Sequence, residues 1–203
     1  MNAVALDVGS VVVAFFVGAI PFGVLVSRAF YATDLRTSGS GNIGAANALR
    51  TLGKRGAVAV LVLDALKGFA PTLAAGALGG PVPATLAAFA SVVGHCWSPF
   101  LGFKGGKGVA TLLGTVFALW WPAGLAFGLV WIAAVVGCGY ASVSSMAAAV
   151  AMAPVLWFGL GPAGLAYGVV SALVIIYRHR ENLDRLRHGT ENRFSLLKAG
   201  RQS

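Results

Sequence analysis

The sequence predicts an all-α fold, a bundle of seven membrane-spanning helices forming a single domain over residues 1–203. Three observations predict it. Hydrophobic residues make up 58% of the chain and charged residues only 10%, against a charged share of about 25% in soluble domains. Seven apolar segments follow one another, with lengths near the roughly 20 residues that a span needs. The charges avoid these segments and gather in three places. That pattern is typical of membrane topology and argues against nucleic-acid binding, despite a net charge of +9.

The apolar segments set the expected order of the helices. The first run has no positively charged start and continues to about residue 30, so we expect a retained span rather than a cleaved signal peptide. At Trp120-Trp121-Pro122, paired tryptophans favour a tight outer turn with Pro122 starting the next helix, and one very long helix is the alternative. The expected spans are residues 4–30, 55–78, 83–98, 107–122, 123–139, 145–160 and 163–178.

The distribution of lysine and arginine predicts the topology. The first loop, the third loop and the tail from Arg178 to Arg201 hold nearly all the cations, whereas the second, fourth and sixth loops hold none. With seven spans, every cationic loop falls on one side, which the positive-inside tendency makes cytoplasmic. We therefore expect the N-terminus outside, the C-terminus in the cytoplasm and a site that opens to the cytoplasm.

One cation lies inside an apolar segment. Lys67 follows Asp64 by three residues in the second span, so the two side chains share a helix face. Charges inside a membrane are costly and are usually paired. A structural ion pair is therefore the simplest interpretation, and contact with a substrate site is the alternative.

A short repeat links two of the predicted helices. "PAGLAFGLV" at 122–130 returns as "PAGLAYGVV" at 162–170. Duplication and convergence on a useful helix start both explain it, and no function follows from it. Each copy contains a Gly-x-x-x-Gly pair suited to tight helix contact, namely Gly124/Gly128 and Gly164/Gly168.

The first cytoplasmic loop reads "SGSGNIGAANALR" over residues 38–50. Its end predicts a short helix stopped by Gly53, on which Asn47 and Arg50 share a face. An ordinary polar loop with a capped helix is the alternative. Three glycines would let backbone amides turn toward an anion: Gly39, Gly41 and Gly44.

The third loop contains "FKGGKG" at residues 103–108. Glycine-freed amides, two lysines and a nearby helix start suit a phosphate dianion. A nucleotide-binding P-loop requires G-x-x-x-x-G-K-[ST]. Leu101 stands at the first glycine position and Gly108 at the hydroxyl position, so we predict phosphate rather than ATP. A merely positive-inside loop explains the lysines but not the glycines. The candidate phosphate-binding residues are Lys104, Gly105, Gly106 and Lys107.

Two groups of polar residues flank the later spans. His95 ends the third span, where packing at the interface and a role in the site are both open, because the phosphate loop follows within ten residues. The loop "GYASVSSM" offers hydroxyls to a polar substrate, and helix capping by Ser144 is the alternative. Its serines are Ser142, Ser144 and Ser145.

The tail predicts a basic helix. His179, Asn182 and Arg185 recur every three residues and so fall along one helix face. Binding of anionic lipid is the plain alternative for such a juxtamembrane helix. Glu191, beyond the expected stop at Gly189, is a candidate partner for a nearby cation.

Together these motifs resemble those of the bacterial acyl-phosphate:glycerol-3-phosphate acyltransferases of the PlsY type. The resemblance covers nearly the whole chain and rests on "GSGNIGAANALR", "GHCWSPFLGFKGGKGVAT" and "HRENLDRLRHGTEN", with "LDALKG" in support. It implies seven transmembrane helices in the bacterial cytoplasmic membrane. It also implies transfer of a fatty acyl group from acyl phosphate to the 1-hydroxyl of glycerol 3-phosphate, which yields lysophosphatidic acid and phosphate.

The resemblance also implies site residues. Ala46 stands where the family usually has threonine, so one hydroxyl contact is lost. With His95 added from its position, the expected catalytic residues are His95, Ser144, His179 and Asn182. The expected substrate-binding and phosphate-binding residues are Ser40, Asn42, Asn47, Arg50, Lys104, Gly105, Gly106, Lys107, Ser145 and Glu191.

An acyl phosphate is an activated mixed anhydride, so positioning and charge stabilisation are the main requirements. We expect direct attack by the substrate hydroxyl, with His95, His179 or a substrate phosphate as base. His179 and Asp184 formally match the H-x-x-x-x-D pattern of other glycerolipid acyltransferases, but five residues apart lie on different helix faces. We expect no cofactor, no metal and no obligate protein partner, with membrane lipid as the surroundings.

Two other functions fit parts of the sequence. A transporter or channel for a phosphorylated solute would suit the glycines and the intramembrane charges, but it would need polar groups on both faces, and the outer loops offer almost none. An acyltransferase that uses acyl-CoA is the second alternative, although a nucleotide would need more cytoplasmic structure.

Overall fold

The computed structural model describes residues 3–194, which form α-helices joined by short loops, with no strand in that range. This confirms the all-α prediction; Lys198 and Arg201 of the cationic tail lie outside the described residues. A 3-10 turn covers Pro99–Leu101. The helices are α1 (Ala3–Ala19), α2 (Phe22–Tyr31), α3 (Ala45–Thr51), α4 (Gly53–Gly79), α5 (Pro81–Cys96), α6 (Val109–Leu119), α7 (Trp121–Cys138), α8 (Ala141–Arg178) and α9 (Arg180–Arg187).

All seven predicted apolar segments fall on these helices. In packing, α5 lies against α1 and α4, α6 against α4, and α7 against α8. Helix α6 is apolar but has only 11 residues. Within residues 3–194, five helical stretches are long and apolar enough to cross a membrane: Leu6–Tyr31, Gly53–Gly79, Pro81–Leu101, Trp121–Cys138 and Ala141–Arg178.

The first apolar segment is broken at Pro21. Proline lacks an N–H and clashes with the preceding turn, so α1 ends at Ala19 and α2 begins at Phe22. Two side chains donate hydrogen bonds to the backbone carbonyls that this break leaves without helical partners. Lys67 Nζ donates to the Ile20 carbonyl at 2.7 Å, and Ser98 Oγ donates to that of Ala19 at 2.6 Å. Such bonds replace the water that a membrane interior does not supply.

The last two predicted spans form a helical hairpin within α8. Gly161, at φ 63° and ψ −147°, interrupts the helix just before Pro162. A Cβ on Gly168 would lie 2.6 Å from Ala153 Cα, although two residues 15 apart in a straight helix are about 22 Å apart. The chain therefore turns back on itself at Gly161.

The turn at the paired tryptophans is present. Trp120 has an extended backbone between α6 and α7, which excludes the alternative of one long helix. The break falls two residues earlier than predicted, and Pro122 lies in the first turn of α7 because that position needs no N–H donor.

The starts of α6 and α8 differ from the prediction in opposite directions. Gly108, at φ 81°, puts the start of α6 at Val109 rather than residue 107. In contrast, α8 begins at Ala141, four residues earlier than predicted. Helix capping by Ser144 is therefore wrong: Tyr140 is the N-cap residue, and Ser144 Oγ donates to the Tyr140 carbonyl at 2.9 Å.

Glycines bring the backbones of α1 and α5 into direct contact. A Cβ on Gly94 would lie 2.1 Å from the Phe15 carbonyl oxygen, and one on Gly18 would lie 2.3 Å from that of Ser91. No side chain fits at such distances, so small residues at this crossing determine how closely the helices pack.

We predict that Gly94→Ala lowers the stability of the protein by about 1–3 kcal/mol, because the methyl group must push α1 and α5 apart. The measurement is the apparent unfolding temperature in detergent. Gly137→Ala on α7 is the matched control, since a Cβ there would meet no atom within 4 Å. Equal unfolding temperatures for the two variants would contradict the close α1–α5 contact.

Candidate functional site

A cavity of about 390 Å³ lies between the helices at one end of the bundle. We call this the polar end; α3, α9 and the glycine loop, residues 102–108, lie there. One part of the cavity is lined by charged and polar side chains and the other by apolar ones. The cavity brings together ten of the fourteen predicted site residues: Ser40, Asn42, Asn47, Arg50, His95, Lys107, Ser145, His179, Asn182 and Glu191.

The other four lie outside this cavity. Lys104 and Gly105 line a second hollow of about 490 Å³, whereas Gly106 and Ser144 line neither space. The hollow is strongly basic, and it meets the cavity through residues that line both: Ser40, Asn42, Lys107 and Arg185.

Glu191 links α8 and α9 at the polar end through hydrogen bonds. Its carboxylate accepts hydrogen bonds from Ser142 Oγ at 2.8 Å, Asn182 Nδ2 at 2.6 Å and Arg185 Nε at 2.8 Å. Its side chain is 5% exposed. Burial raises the pKa of this carboxyl, but the three donors outweigh it and hold the pKa below the ordinary value. The prediction that Glu191 pairs with a nearby cation is confirmed.

Lys107 joins the same network. Its Nζ donates to Asn182 Oδ1, the amide whose other end bonds Glu191. Burial, followed by the positive charge of Arg185, lowers the pKa of Lys107 to about 8. The side chain is therefore charged at neutral pH and loses its proton within reach of ordinary assay conditions.

The charges that line the cavity do not cancel. Asp64 lines the cavity, but its charge is balanced by Lys67, which lies 2.7 Å away and is not part of the lining. The remaining ionised groups are three cations and one carboxylate, which leaves an excess of two positive charges. These groups are Arg50, Lys107, Arg185 and Glu191.

Asn47 organises the first loop. Its Nδ2 donates to the carbonyls of Leu35, Ser38 and Asn42 at 2.8–3.1 Å, and its Oδ1 accepts from the Ser40 amide at 2.8 Å. The side chain is 2% exposed. With its polar atoms committed to the loop, Asn47 holds Ser40 and Asn42 at the cavity wall.

Two of the three glycines of that loop do not turn their amides toward an anion. The Gly41 amide donates to the Ser38 carbonyl at 3.1 Å, and the Gly44 amide donates to Asn42 Oδ1 at 2.9 Å. Together with the Ser40 amide, these donors are satisfied within the loop, so the expectation that the amides face an anion is wrong for Gly41 and Gly44, and for Gly39 it stays a prediction.

The glycine loop uses its glycines for close packing. A Cβ on Gly105 would lie 2.0 Å from the His95 carbonyl oxygen, and one on Gly106 would lie 2.2 Å from His95 Nε2. The Gly106 amide donates to that same carbonyl at 3.1 Å. Arg178 donates to the carbonyls of Gly105 and Gly106 at 2.8 and 3.0 Å. The loop is thus fixed against α5 and α8, and Lys107 is held at the cavity.

The three serines after Tyr140 face different ways. Ser142 and Ser145, three residues apart on α8, line the cavity, and Ser144 does not. Ser145 Oγ donates to the Ala141 carbonyl at 2.7 Å and accepts from Trp131 Nε1 at 3.1 Å. The rule that residues three apart share a face would have selected Ser142, had the helix been predicted to start at residue 141.

Two histidines line the cavity in different surroundings. His179 Nδ1 lies 2.8 Å from the Ile175 carbonyl oxygen; since a carbonyl only accepts, Nδ1 carries the hydrogen and Nε2 is left as an acceptor. Burial, followed by the charge of Lys107, lowers the pKa of His179 to about 4. His95 Nδ1 lies 3.8 Å from Asp64 Oδ1, and its Nε2 faces Gly106.

Asp64 connects the helix core to the site. It is 1% exposed, pairs with Lys67 and lines the cavity. The predicted ion pair is therefore confirmed, and Asp64 is also one of the residues that line the cavity. Across the described range 3–194, no group of three or more His, Cys, Asp or Glu is placed to hold a metal ion.

The apolar half of the cavity lies between α4, α6 and α7. Leu113 and Phe127 form its inner wall. Leu61 on α4 and Ile132 on α7 also line it, yet they are 40% and 56% exposed at the surface of the bundle. The cavity therefore opens sideways between apolar side chains as well as at the polar end. Ala46, where the resemblance expected threonine, lines it too.

Comparison with known proteins gives a consistent family. Residues 8–189 match the profile of the family described as glycerol-3-phosphate acyltransferase. A protein of that name from Cereibacter sphaeroides is 48% identical over 183 residues, which cover 90% of this chain and 87% of the relative. One from Rhodopseudomonas palustris is 42% identical over 190 residues, which cover 94% and 97% of the two chains.

Two solved structures are similar over nearly their whole length. The glycerol 3-phosphate form of PlsY, described as an integral membrane glycerol 3-phosphate acyltransferase, has a TM-score of 0.90 and 41% identity, with 97% of this chain and 99% of that chain covered. The lysophosphatidic acid form of PlsY has a TM-score of 0.86 and 40% identity, with 95% and 97% covered.

We predict that Lys67→Met destabilises the protein by about 3 kcal/mol or more, because it leaves the buried Asp64 carboxylate unpaired. The double variant Asp64→Asn/Lys67→Met removes that charge and should recover much of the loss. The measurement is the unfolding midpoint in a denaturing detergent titration. A double variant that is less stable than Lys67→Met would contradict the role of the ion pair.

Proposed function

This chain belongs to the glycerol-3-phosphate acyltransferase family of the PlsY type, and we propose that it acylates the 1-hydroxyl of glycerol 3-phosphate with acyl phosphate as donor. The products are lysophosphatidic acid and inorganic phosphate. One observation carries the proposal: a single cavity joins a positively charged end to an apolar half that opens at the side of an integral membrane protein. Such a space suits a lipid tail with a phosphate head.

The charge balance supports phosphate as the ligand. Phosphate monoesters carry close to two negative charges at neutral pH, which matches the excess of two positive charges among Arg50, Lys107, Arg185 and Glu191. Arginine and lysine side chains hold phosphate by charge-assisted hydrogen bonds. These cations, rather than the backbone amides of the glycine loop, are the proposed phosphate ligands, with Ser40 and Asn42 beside them.

The second hollow supports a separate route for the water-soluble substrate. It is lined by Lys104, Gly105, Arg178 and Arg180 and shares Lys107 with the cavity. The charged residues of its lining are five cations and one carboxylate, Glu181, so the hollow carries a net positive charge. Such a cleft raises the local concentration of an anionic substrate. We assign Lys104 to the entry of glycerol 3-phosphate through this hollow, while the acyl donor enters from the lipid side.

The hydrogen bonds of the three serine hydroxyls support direct transfer without an acyl-enzyme. Ser142 donates to Glu191, Ser144 to the Tyr140 carbonyl and Ser145 to the Ala141 carbonyl. A serine nucleophile needs a base that accepts its proton. Ser144 and Ser145 donate to backbone carbonyls, which cannot act as bases. Ser142 donates to the Glu191 carboxylate, but that group is a weak base because its donors, despite burial, hold its pKa below the ordinary value. The glycerol hydroxyl therefore attacks the acyl carbon, the new ester C–O bond forms, and the bond to the phosphate oxygen breaks.

The proton of the attacking hydroxyl needs an acceptor. His179 lines the cavity, and its Nδ1–H bond to the Ile175 carbonyl orients the ring and leaves a neutral Nε2 as acceptor. His95 is packed with its Nε2 against Gly106, which favours His179 between the two; a substrate phosphate oxygen is the third acceptor. Lys107 and the arginines stabilise the negative charge on the departing phosphate.

The placement of charges also supports a topology. We propose seven crossings in one domain of the bacterial cytoplasmic membrane, with the N-terminus outside and the polar end in the cytoplasm. Arg50, Lys107 and Arg185 meet at this end, as the positive-inside tendency requires. Trp120 and Trp121, at the far turn between α6 and α7, suit the opposite interface.

We predict that the purified protein makes labelled lysophosphatidic acid from palmitoyl phosphate and labelled glycerol 3-phosphate. Arg50→Ala should lower kcat/KM by about a hundredfold, the usual effect of losing one charge-stabilising donor. Arg28→Ala, which removes an exposed partner of Asp34, is the control. Activity with palmitoyl-CoA and not with palmitoyl phosphate would contradict the proposed donor, and a covalent acyl-protein adduct would contradict direct transfer.

We predict that kcat/KM for glycerol 3-phosphate falls as the pH rises through about 8. The pKa of Lys107 is lowered to about 8, so the ammonium is present below that pH and is lost above it. Lys107→Arg should move this decline to higher pH, because arginine stays charged. The measurement is a pH profile of kcat/KM, which reports ionisations of the free enzyme and free substrate. A decline that stays in place in Lys107→Arg would assign it to another group.

A further inference from the structure

Gly128 on α7 differs from the other glycines of the repeated motif. A Cβ on Gly124 would lie 2.2 Å from the Phe117 ring, and one on Gly164 would lie 2.3 Å from the Leu156 carbonyl oxygen. A Cβ on Gly168 would lie 2.6 Å from Ala153 Cα. A Cβ on Gly128, in contrast, would meet no atom within 4 Å. Tight helix contact, which the motif predicts for all four, therefore holds for three and is wrong for Gly128.

The open space beside Gly128 is the cavity. Gly128 is one of its lining residues, in the apolar half beside Phe127 and Ile132. Glycine weakens a helix relative to alanine, and packing does not require it here. The absent side chain leaves space in the cavity itself.

Gly128 also lies far from the polar end along α7. The end of α7 that faces the polar end is Cys138, and Gly128 is ten residues before it, about 15 Å along the helix axis. The other lining residues of α7, Trp131 and Ile132, are nearer to Cys138. Phe127 and Gly128 are therefore the lining residues of α7 that lie farthest from the polar end.

We propose that Gly128 determines the length of the acyl chain that the enzyme accepts, by leaving room for the distal methylenes at the deep end of the cavity. The inference rests on the proposed function, in which the phosphate head is held at the polar end. With the head fixed there, longer chains reach Gly128 and shorter chains stop before it.

The test is a chain-length profile. The kcat/KM for each donor from decanoyl phosphate to stearoyl phosphate is measured for the wild-type protein, Gly128→Leu and Gly137→Leu. Gly137 is the matched control, since it lies on the same helix, its Cβ would also meet no atom within 4 Å, and it does not line the cavity.

The leucine side chain would displace about three methylenes, and each buried methylene is worth about a fourfold change in an equilibrium or rate ratio. Gly128→Leu should therefore lower the palmitoyl-to-lauroyl ratio of kcat/KM at least about tenfold, with activity on the shortest donors retained. Gly137→Leu should keep the wild-type ratio.

Two results would overturn the role of Gly128: an unchanged ratio in Gly128→Leu, or an equal shift in Gly137→Leu. A wild-type protein that makes no lysophosphatidic acid from any acyl phosphate would instead contradict the proposed function. If Gly128→Leu does not fold, as judged by size-exclusion chromatography, Gly128→Ala decides the question. Its single methyl group should lower the ratio about fourfold, and an unchanged ratio there would reject the inference.

Discussion

The polar end depends on the Glu191 carboxylate. Its three donors come from the first turn of α8 and from α9, and through Asn182 it reaches Lys107 on the glycine loop. A buried carboxylate requires several donors, so it fixes the relative positions of these segments. It also cancels only one of the three positive charges around it. The same interaction therefore assembles the site and leaves the charge that a phosphate needs.

The glycine loop supplies the second constraint. Its backbone lies so close to the end of α5 that a side chain at Gly105 or Gly106 would overlap His95. Arg178 closes the loop from the α8 side. Hydrogen bonds to His95 and Arg178 hold the loop against α5 and α8, and Lys107 extends from it into the cavity beside Asn182. The loop thus positions the Lys107 ammonium before a substrate binds, which favours a preorganised site.

The sequence predicted the helices well because hydropathy and charge distribution act over long segments. Ten of the fourteen candidate residues predicted from the sequence line one cavity, because most of an apolar membrane chain offers no environment for polar side chains. The prediction failed where a tertiary contact decided the outcome. Gly41, Gly44 and Gly106 resemble an anion nest in sequence, yet their amides bond within the protein. Ser142 and Ser144 could not be distinguished until the start of α8 was known, and the open side of Gly128 depends on α4 and α6.

The central claim is that cationic side chains of the cavity, and not the amides of the glycine loop, bind the phosphate. The most direct test is calorimetric titration of the purified protein with glycerol 3-phosphate, comparing Lys107→Ala with Lys104→Ala. Both changes remove one lysine from the same loop, but Lys104 lines only the entry hollow. We predict at least about a tenfold loss of affinity, 1.4 kcal/mol, for Lys107→Ala and a much smaller loss for Lys104→Ala. Equal losses, or full affinity in Lys107→Ala, would contradict the claim.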